Sequence, residues 1–242
     1  MKMIVEIWSD FACPFCYIGK KRFEGALNKF AHKEQVKIIF RSYQLEPYAA
    51  ASQKQDIHAS LAEKYGMSYE QAKEMGQQVT MQAKEVGLDF HFDTMVLTNT
   101  FAAHRLSHYA KRIGKMNEMM ERLLFAYFTE SKHLGDYDTL IELAGEIGID
   151  KKEASRVLNE GLYTDDVRHD QNTATQIGVK GVPFFVFNEK YAVSGAQSSE
   201  LFLEVLEKVW SEQQKIAPIE IVKEKEETKN KTEFCSGDSC PI

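Results

Sequence analysis

The sequence predicts an α/β fold in which two halves of one sheet, a βαβ half and a ββα half, are separated by a large all-helical insertion. Three observations carry this. Met3-Ile4-Val5-Glu6-Ile7-Trp8 and Val36-Lys37-Ile38-Ile39-Phe40-Arg41-Ser42-Tyr43 are apolar, β-branched runs on either side of a helical pattern, as in a βαβ unit. From about Asp56 to Gly161 no strand pattern occurs, only helices with clear starts and stops. Beyond that block, two apolar runs meet at the short turn Asn188-Glu189 and lead into a last helix, which restores the sheet.

The first strand ends in Trp8-Ser9-Asp10-Phe11-Ala12-Cys13-Pro14-Phe15-Cys16. Phe23, Leu27 and Phe30 then recur at helical spacing, so Cys13-x-x-Cys16 lies at a strand-to-helix turn with Cys13 near the helix N-terminus. The unpaired N–H groups and positive dipole end there favour a thiolate over a thiol. Pro14 suits the first helical position, where its missing N–H leaves nothing unsatisfied. Cys16, one turn further in, is close enough to pair with Cys13 or to attack a mixed disulfide on it. Lys20-Lys21-Arg22 reads as a solvated helix face whose charge slightly favours a nearby thiolate.

In the insertion, Ser68-Tyr69-Glu70-Gln71 is a capping box for a helix ending near Gly87. Thr98 or Asn99 opens the next, with Phe101, Leu106, Tyr109 and Ile113 inward and a stop at Gly114. A third carries Met116, Met119, Met120, Leu123, Phe125 and Phe128. Asp138 caps a fourth up to Gly148, and Asp150 with Glu153 caps a fifth up to Gly161. Thr164-Asp165-Asp166 starts a helix running to Gly178. The runs Val179–Asn188 and Lys190–Gly195 then form an antiparallel hairpin, and Ser198 or Ser199 caps the last helix. The expected organisation is therefore 1–46 and 162–212 as the two halves of one domain, 47–161 as the insertion, and 213–242 as a Lys- and Glu-rich flexible tail carrying Cys235-x4-Cys240.

With 43% hydrophobic residues over 242 positions, the composition is that of a soluble globular protein. A net charge of −6 gives no electrostatic reason to expect nucleic acid or an anionic membrane as partner. No apolar run of about 18 residues occurs, and no apolar signal core follows Met1-Lys2, so the expected address is the cytoplasm. Four cysteines in two tight pairs are too few and too clustered for a stapled secreted scaffold; such pairs are redox-active or metal-binding in a reducing compartment.

Four thiolates could hold zinc, but Tyr17 follows Cys16 where zinc knuckles place a glycine, and a regular helix continues. Redox chemistry is the stronger reading, and no metal is expected. Cys235 and Cys240 admit three roles: a local disulfide eased by the Gly237-Asp238 turn, thiol exchange with the first pair, or metal binding. His104 and His108 share one helix face at the i, i+4 spacing of metal-binding pairs, yet no third ligand accompanies them. Met75, Met81, Met95, Met116, Met119 and Met120 read as core filling, with a Met-lined substrate groove as the alternative.

The first strand with Ser9-Asp10-(x)2-Cys13-Pro14-(x)-Cys16-Tyr17-Ile18-Gly19, followed far downstream by Gly181-Val182-Pro183-Phe184-Phe185, resembles the thioredoxin superfamily. The inserted helices narrow the resemblance to the DsbA-like branch. Asn99-Thr100-(x)3-His104-Arg105-Leu106 and Gly195-Ala196-Gln197 look like its FrnE-type cytoplasmic members, several of which also carry a C-terminal cysteine pair. The resemblance covers residues 1 to about 212. It implies a thioredoxin-like fold and a cytoplasmic thiol–disulfide oxidoreductase that reduces or isomerises disulfides in proteins or peptides. It further implies that Cys13 is the exposed nucleophile, Cys16 the buried resolving cysteine, and Pro183 a cis-proline facing them. Val182 would offer its backbone to an extended substrate strand. Pro14, Phe15 and His104 join the substrate side, with His104 lining the cleft and His108 on the surface. No resident cofactor is implied, and glutathione is the candidate thiol donor. Pro14-Phe15 departs from the Pro-His of strongly oxidising members. The thiolate is therefore expected to be less stabilised than that of DsbA at pKa ~3.5, and the couple less oxidising than ~−120 mV. Two alternatives stand beside this reading. Glutathione-dependent isomerases and transferases of the 2-hydroxychromene-2-carboxylate isomerase and kappa classes share the inserted fold, but typically use serine where this chain has Cys13. A zinc-holding redox-regulatory protein accounts for four cysteines but not for Pro183.

Overall fold

The computed structural model describes residues 2–50 and 55–214. Strand β1 (Met3–Ser9) is followed by helix α1 (Pro14–Lys29), a short 3-10 turn at Lys33–Gln35, and β2 (Val36–Ser42), which pairs parallel to β1 from Met3↔Val36 to Ser9↔Ser42. After the helices come β3 (Phe184–Phe187) and β4 (Tyr191–Ser194), an antiparallel hairpin turning through Asn188 and Glu189, both at positive φ. β3 pairs antiparallel with β1 through Val5↔Phe187 and Trp8↔Phe184, giving the order β2-β1-β3-β4. The last helix, α9, spans Ser199–Gln214.

Alternation along β1 decides the two faces of the sheet. Met3, Val5 and Ile7 point into the main core with Phe23 of α1, Phe185, Phe187 and Phe202 of α9. Phe23 is 5.5–6.2 Å from the other three rings, in tilted and edge-on arrangements. Trp8 faces the other way, against Ala174, Val179 and Phe184.

Between β2 and β3 the described elements are helices alone: α2 (Ile57–Tyr65), α3 (Tyr69–Glu85), α4 (Phe101–Arg112), α5 (Met116–Phe128), α6 (Tyr137–Glu146), α7 (Lys151–Asn159) and α8 (Thr164–Gln176), with a 3-10 turn at Phe92–Thr94. Ser68 and Gln71 form the expected capping box, and Asp150 caps α7 through the Lys152 and Glu153 amides. Several details differ from expectation. Asp136, not Asp138, caps α6. Asn99 accepts from the Phe101 amide, although Thr100 is the residue that precedes α4. Helix α2, capped by Asp56 and closed by Gly66 at φ 65, is short and carried no periodic pattern of its own. The hairpin is shorter than the apolar run that predicted it, because Val179 turns onto Trp8 instead of joining β3. Ile113 and Met81 are exposed, not inward, whereas Met95, Met119 and Met120 are buried.

Two charged clusters join distant elements, one tying α8 and α4 to the sheet and the other tying α1 to α5. Asp170 of α8, 1% exposed, accepts from Arg41 (2.9 Å) and the Ser42 amide (2.9 Å), and its Oδ2 is 3.2 Å from His108 Nε2. Trp8 Nε1 donates to the Asp170 carbonyl at 3.0 Å. His108 is therefore buried and structural, correcting its surface assignment. Both partners of His108, Ser42 Oγ (3.1 Å) and Asp170, meet the same ring nitrogen, so the trio is no proton relay. Burial would raise the Asp170 carboxyl, but the bonds from His108 and Ser42 and the charge of Arg41 win and lower it.

The second cluster corrects the reading of Lys20 as solvated. Lys20 is 5% exposed and reaches Glu24 (2.6 Å) and Glu121 of α5 (2.5 Å). Lys21 (2.6 Å) and the Tyr17 hydroxyl (2.7 Å) also donate to Glu121. One carboxylate thus collects three donors from the helix that begins at the cysteines. Burial alone would raise Glu121, but the Lys20 charge and the bonds from Lys20, Lys21 and Tyr17 hold it at about 2. A carboxyl depressed in the folded state stabilises above its unfolded pKa and loses that contribution as pH falls through the folded one. Stability in urea is expected to decline between about pH 4.5 and 2, and Glu121→Gln to lower the plateau and flatten the decline. An unchanged profile in that variant would contradict the assignment.

Candidate active site

Cys13 caps α1 with extended backbone (φ −96, ψ 111), and Pro14 occupies the first helical turn. The turn that delivers it is closed by two backbone bonds, Cys13 N–H to Asp10 O (3.2 Å) and Cys16 N–H to Cys13 O (3.0 Å). Both thiols are free. Cys13 Sγ donates to the Val182 carbonyl at 3.4 Å, and the Val182-Pro183 peptide is cis. The structure thus brings Cys13, Pro14, Phe15, Cys16, Val182 and Pro183 together at one end of the sheet.

Cys13 is not the exposed nucleophile that the resemblance implied: it is 4% exposed and Cys16 2%. The reason is the close approach of the loop before β3. A Cβ built on Gly19 would meet Pro183 Cγ at 2.9 Å and Ala196 Cα and Cβ at 3.3 Å, so only glycine lets that loop seat against α1. Phe15, 38% exposed, is the open flank of the site. Gly19→Ala is expected to push the Val182-Pro183 loop off Cys13, lowering stability by about 1–3 kcal/mol and slowing disulfide exchange. Wild-type stability and rate in that variant would contradict the packing argument.

Burial pushes the Cys16 thiol well up, helped by the hydrogen bond and charge of Cys13; the Ser9 hydroxyl and the Asp10 N–H, 3.4 Å from Cys16 Sγ, pull weakly the other way. Cys16 is therefore held as a thiol. Behind the pair lies Asp10, 1% exposed, whose carboxylate accepts from the Thr100 hydroxyl (2.7 Å), the Leu45 amide (2.8 Å) and the Ala12 amide (3.4 Å), with His104 Nε2 at 3.2 Å. His104 is 2% exposed and packs on Phe11, so it backs the site and does not line an open cleft. Asn99 completes the arrangement: its side chain donates to the carbonyls of Pro47 (3.2 Å) and Ala49 (2.9 Å) and accepts from Gln44 (3.0 Å). Asp10 and Thr100 were not singled out from sequence, although both stand inside the quoted motifs. Their signal was an acid three residues before the first cysteine, with a hydroxyl and a histidine spaced i, i+4 elsewhere.

Among the described residues no group of three or more His, Cys, Asp or Glu is placed to hold a metal ion. Cys235 and Cys240 lie outside the described residues.

The profile of the DSBA-like thioredoxin domain family matches residues 4–218. Among solved structures, a probable DsbA oxidoreductase from Streptomyces coelicolor is 37% identical, with a TM-score of 0.84 over 99% of each chain. A 2-hydroxychromene-2-carboxylate isomerase shares the fold alone, at 13% identity and a TM-score of 0.68 over 89% of this chain and 100% of that one. The Bacillus subtilis protein YwbO is 26% identical over 219 residues, 89% of this chain and 99% of its own length.

Proposed function

The chain belongs to the DSBA-like thioredoxin domain family, and on that premise we propose that it is a thiol–disulfide oxidoreductase that reduces or isomerises protein and peptide disulfides. The observation that carries the reading is the pair itself: two free thiols one helical turn apart at the start of α1, the first bonded to the carbonyl of a loop residue that can pair with an extended chain.

The Cys13 thiolate attacks one sulfur of a substrate disulfide; the other sulfur leaves as a thiolate, and Cys13 is joined to the substrate. Cys16 gives up its proton and attacks the Cys13 sulfur, which releases the second substrate thiol and leaves Cys13–Cys16 oxidised. Two electrons have passed to the substrate. Two equivalents of a thiol such as glutathione return the pair to dithiol. The raised pKa of Cys16 suits this order, since the resolving thiol stays protonated while Cys13 reacts.

We extend the reading to a FrnE-type protein working in the cytoplasm, where a glutathione pool keeps such pairs reduced. No helix among the described residues is long and apolar enough to cross a membrane. Cys235 and Cys240 are proposed as an auxiliary pair exchanging with Cys13–Cys16. The presence of Cys13 supports disulfide exchange over the glutathione-dependent isomerase and transferase reading.

The test is reduction of insulin disulfides by the full chain with glutathione as donor. Turnover with no conjugation of chlorodinitrobenzene supports the proposal. Glutathione-dependent conjugation without insulin reduction refutes it.

A further inference from the structure

Cys16 is buried, yet it can displace the substrate only as a thiolate, a charge that a dry interior penalises. Two donors meet its sulfur from the end of β1. The Asp10 N–H is 3.4 Å from Cys16 Sγ, and the Ser9 hydroxyl is hydrogen-bonded to the same atom. Alternation along β1 explains how one strand end supplies both. Met3, Val5 and Ile7 point into the core shared with α1, so Ser9 puts its side chain on that same face, beneath the first turn of the helix. Ser9, itself buried, thus breaks an apolar series with a hydroxyl under the resolving sulfur. The ladder with β2 ends at Ser9↔Ser42, which leaves the next amide, that of Asp10, to turn towards the sulfur.

Opposed influences act on Cys16. Burial, and the hydrogen bond and charge of Cys13, hold it as a thiol; Ser9 and the Asp10 amide favour the thiolate. The influence of Cys13 belongs only to a sulfur that is free. Once that sulfur is bonded to substrate it carries neither charge nor proton, and its restraint on Cys16 is gone. Both donors remain.

We propose that Ser9 is a catalytic residue of the resolving step, its hydroxyl forming with the Asp10 amide a hole for the Cys16 thiolate once Cys13 carries the substrate. The inference rests on the disulfide exchange proposed above. In this step the Cys16 proton ends on the thiolate released by the first exchange. The Cys16 anion, held by the two donors, attacks the Cys13 sulfur. The Cys13–substrate bond breaks, the Cys13–Cys16 bond forms, and the second substrate sulfur leaves as a thiolate. Ser9 gives up no proton and only donates a hydrogen bond. The first attack, at Cys13, does not use it.

The test is a time course of the reduced chain, with Cys235 and Cys240 changed to Ser, reacting with excess oxidised peptide. Rapid alkylation and mass spectrometry follow free Cys13, the Cys13–peptide adduct and the Cys13–Cys16 disulfide. Ser9→Ala is expected to consume free Cys13 at the parent rate. It should resolve the adduct at least about tenfold more slowly, because hydrogen bonds to a charged group are the strong ones. Ser9→Thr, which keeps the hydroxyl, should resolve faster than Ser9→Ala. A general loosening of the site would slow both steps together. Resolution at the parent rate in Ser9→Ala, equal slowing of attack and resolution, or no advantage of Thr over Ala would each overturn the proposal and leave the exchange chemistry standing. No loss of free Cys13 in any of the three proteins would refute the oxidoreductase reading, and this proposal with it.

Discussion

Cys13→Ser is expected to bring disulfide exchange to background, and Cys16→Ser, in a chain whose Cys235 and Cys240 are also Ser, to give a protein that reacts once and stops. The two outcomes differ because the sulfurs have different work. A hydroxyl in place of Cys13 Sγ is neither an effective nucleophile nor able to form the mixed disulfide. With Cys16 replaced, and Cys235 and Cys240 also changed to Ser so that the tail pair cannot take its place, Cys13 still attacks, but nothing within the protein displaces the substrate, and the covalent complex accumulates. Mass spectrometry of Cys16→Ser lacking the tail cysteines, after incubation with an oxidised peptide, should show one peptide per chain, attached at Cys13. Turnover by Cys13→Ser, or repeated turnover without accumulation of the adduct by Cys16→Ser lacking the tail cysteines, would assign the chemistry elsewhere.

Asp10→Ala is expected to be the most damaging substitution that leaves both cysteines in place. The Asp10 carboxylate, 1% exposed, is the common acceptor for the Thr100 hydroxyl, His104 and the Leu45 and Ala12 amides. Its removal strands these groups in a dry interior. Breaking such a buried charged network costs about 3–5 kcal/mol, and at about 2–4 °C per kcal/mol for a chain of this size the melting temperature should fall by ~6–20 °C. The site should loosen with it, because the amide of the same residue faces Cys16 Sγ and its carbonyl holds the Cys13 amide. Asp10→Asn, which keeps the shape and one acceptor oxygen, should lose less. Thermal unfolding of the three proteins checks this; an Asp10→Ala variant within about 1 kcal/mol of the parent would show that the network is not what holds the site.

What could be read from the sequence was local. The strand-to-helix turn at Cys13, the Ser68–Gln71 box and the hairpin at Asn188-Glu189 each declare themselves within a few residues. What escaped was the pairing of distant charges. Lys20 looks like a surface lysine until Glu121 is brought to it across the fold, and His108 looks like one more helix histidine until Asp170 arrives beneath it. His104 carried a motif signal, but its partner Asp10 lies 94 residues away, so its place behind the cysteines and not beside the substrate could not be seen. The burial of Cys13 rests on Gly19 meeting Pro183, a contact between the two sheet halves that neither segment announces alone.

The central claim, that Cys13 and Cys16 form one redox couple, is tested most directly by equilibrating the purified chain in glutathione buffers of graded potential, alkylating free thiols and reading each cysteine by mass spectrometry. The account predicts that Cys13 and Cys16 titrate together as a single two-electron couple, with a midpoint more reducing than the ~−120 mV of DsbA. A Cys13 that accumulates only as a glutathione adduct, with Cys16 free throughout, would contradict it, as would thiols that stay blocked until a chelator is added.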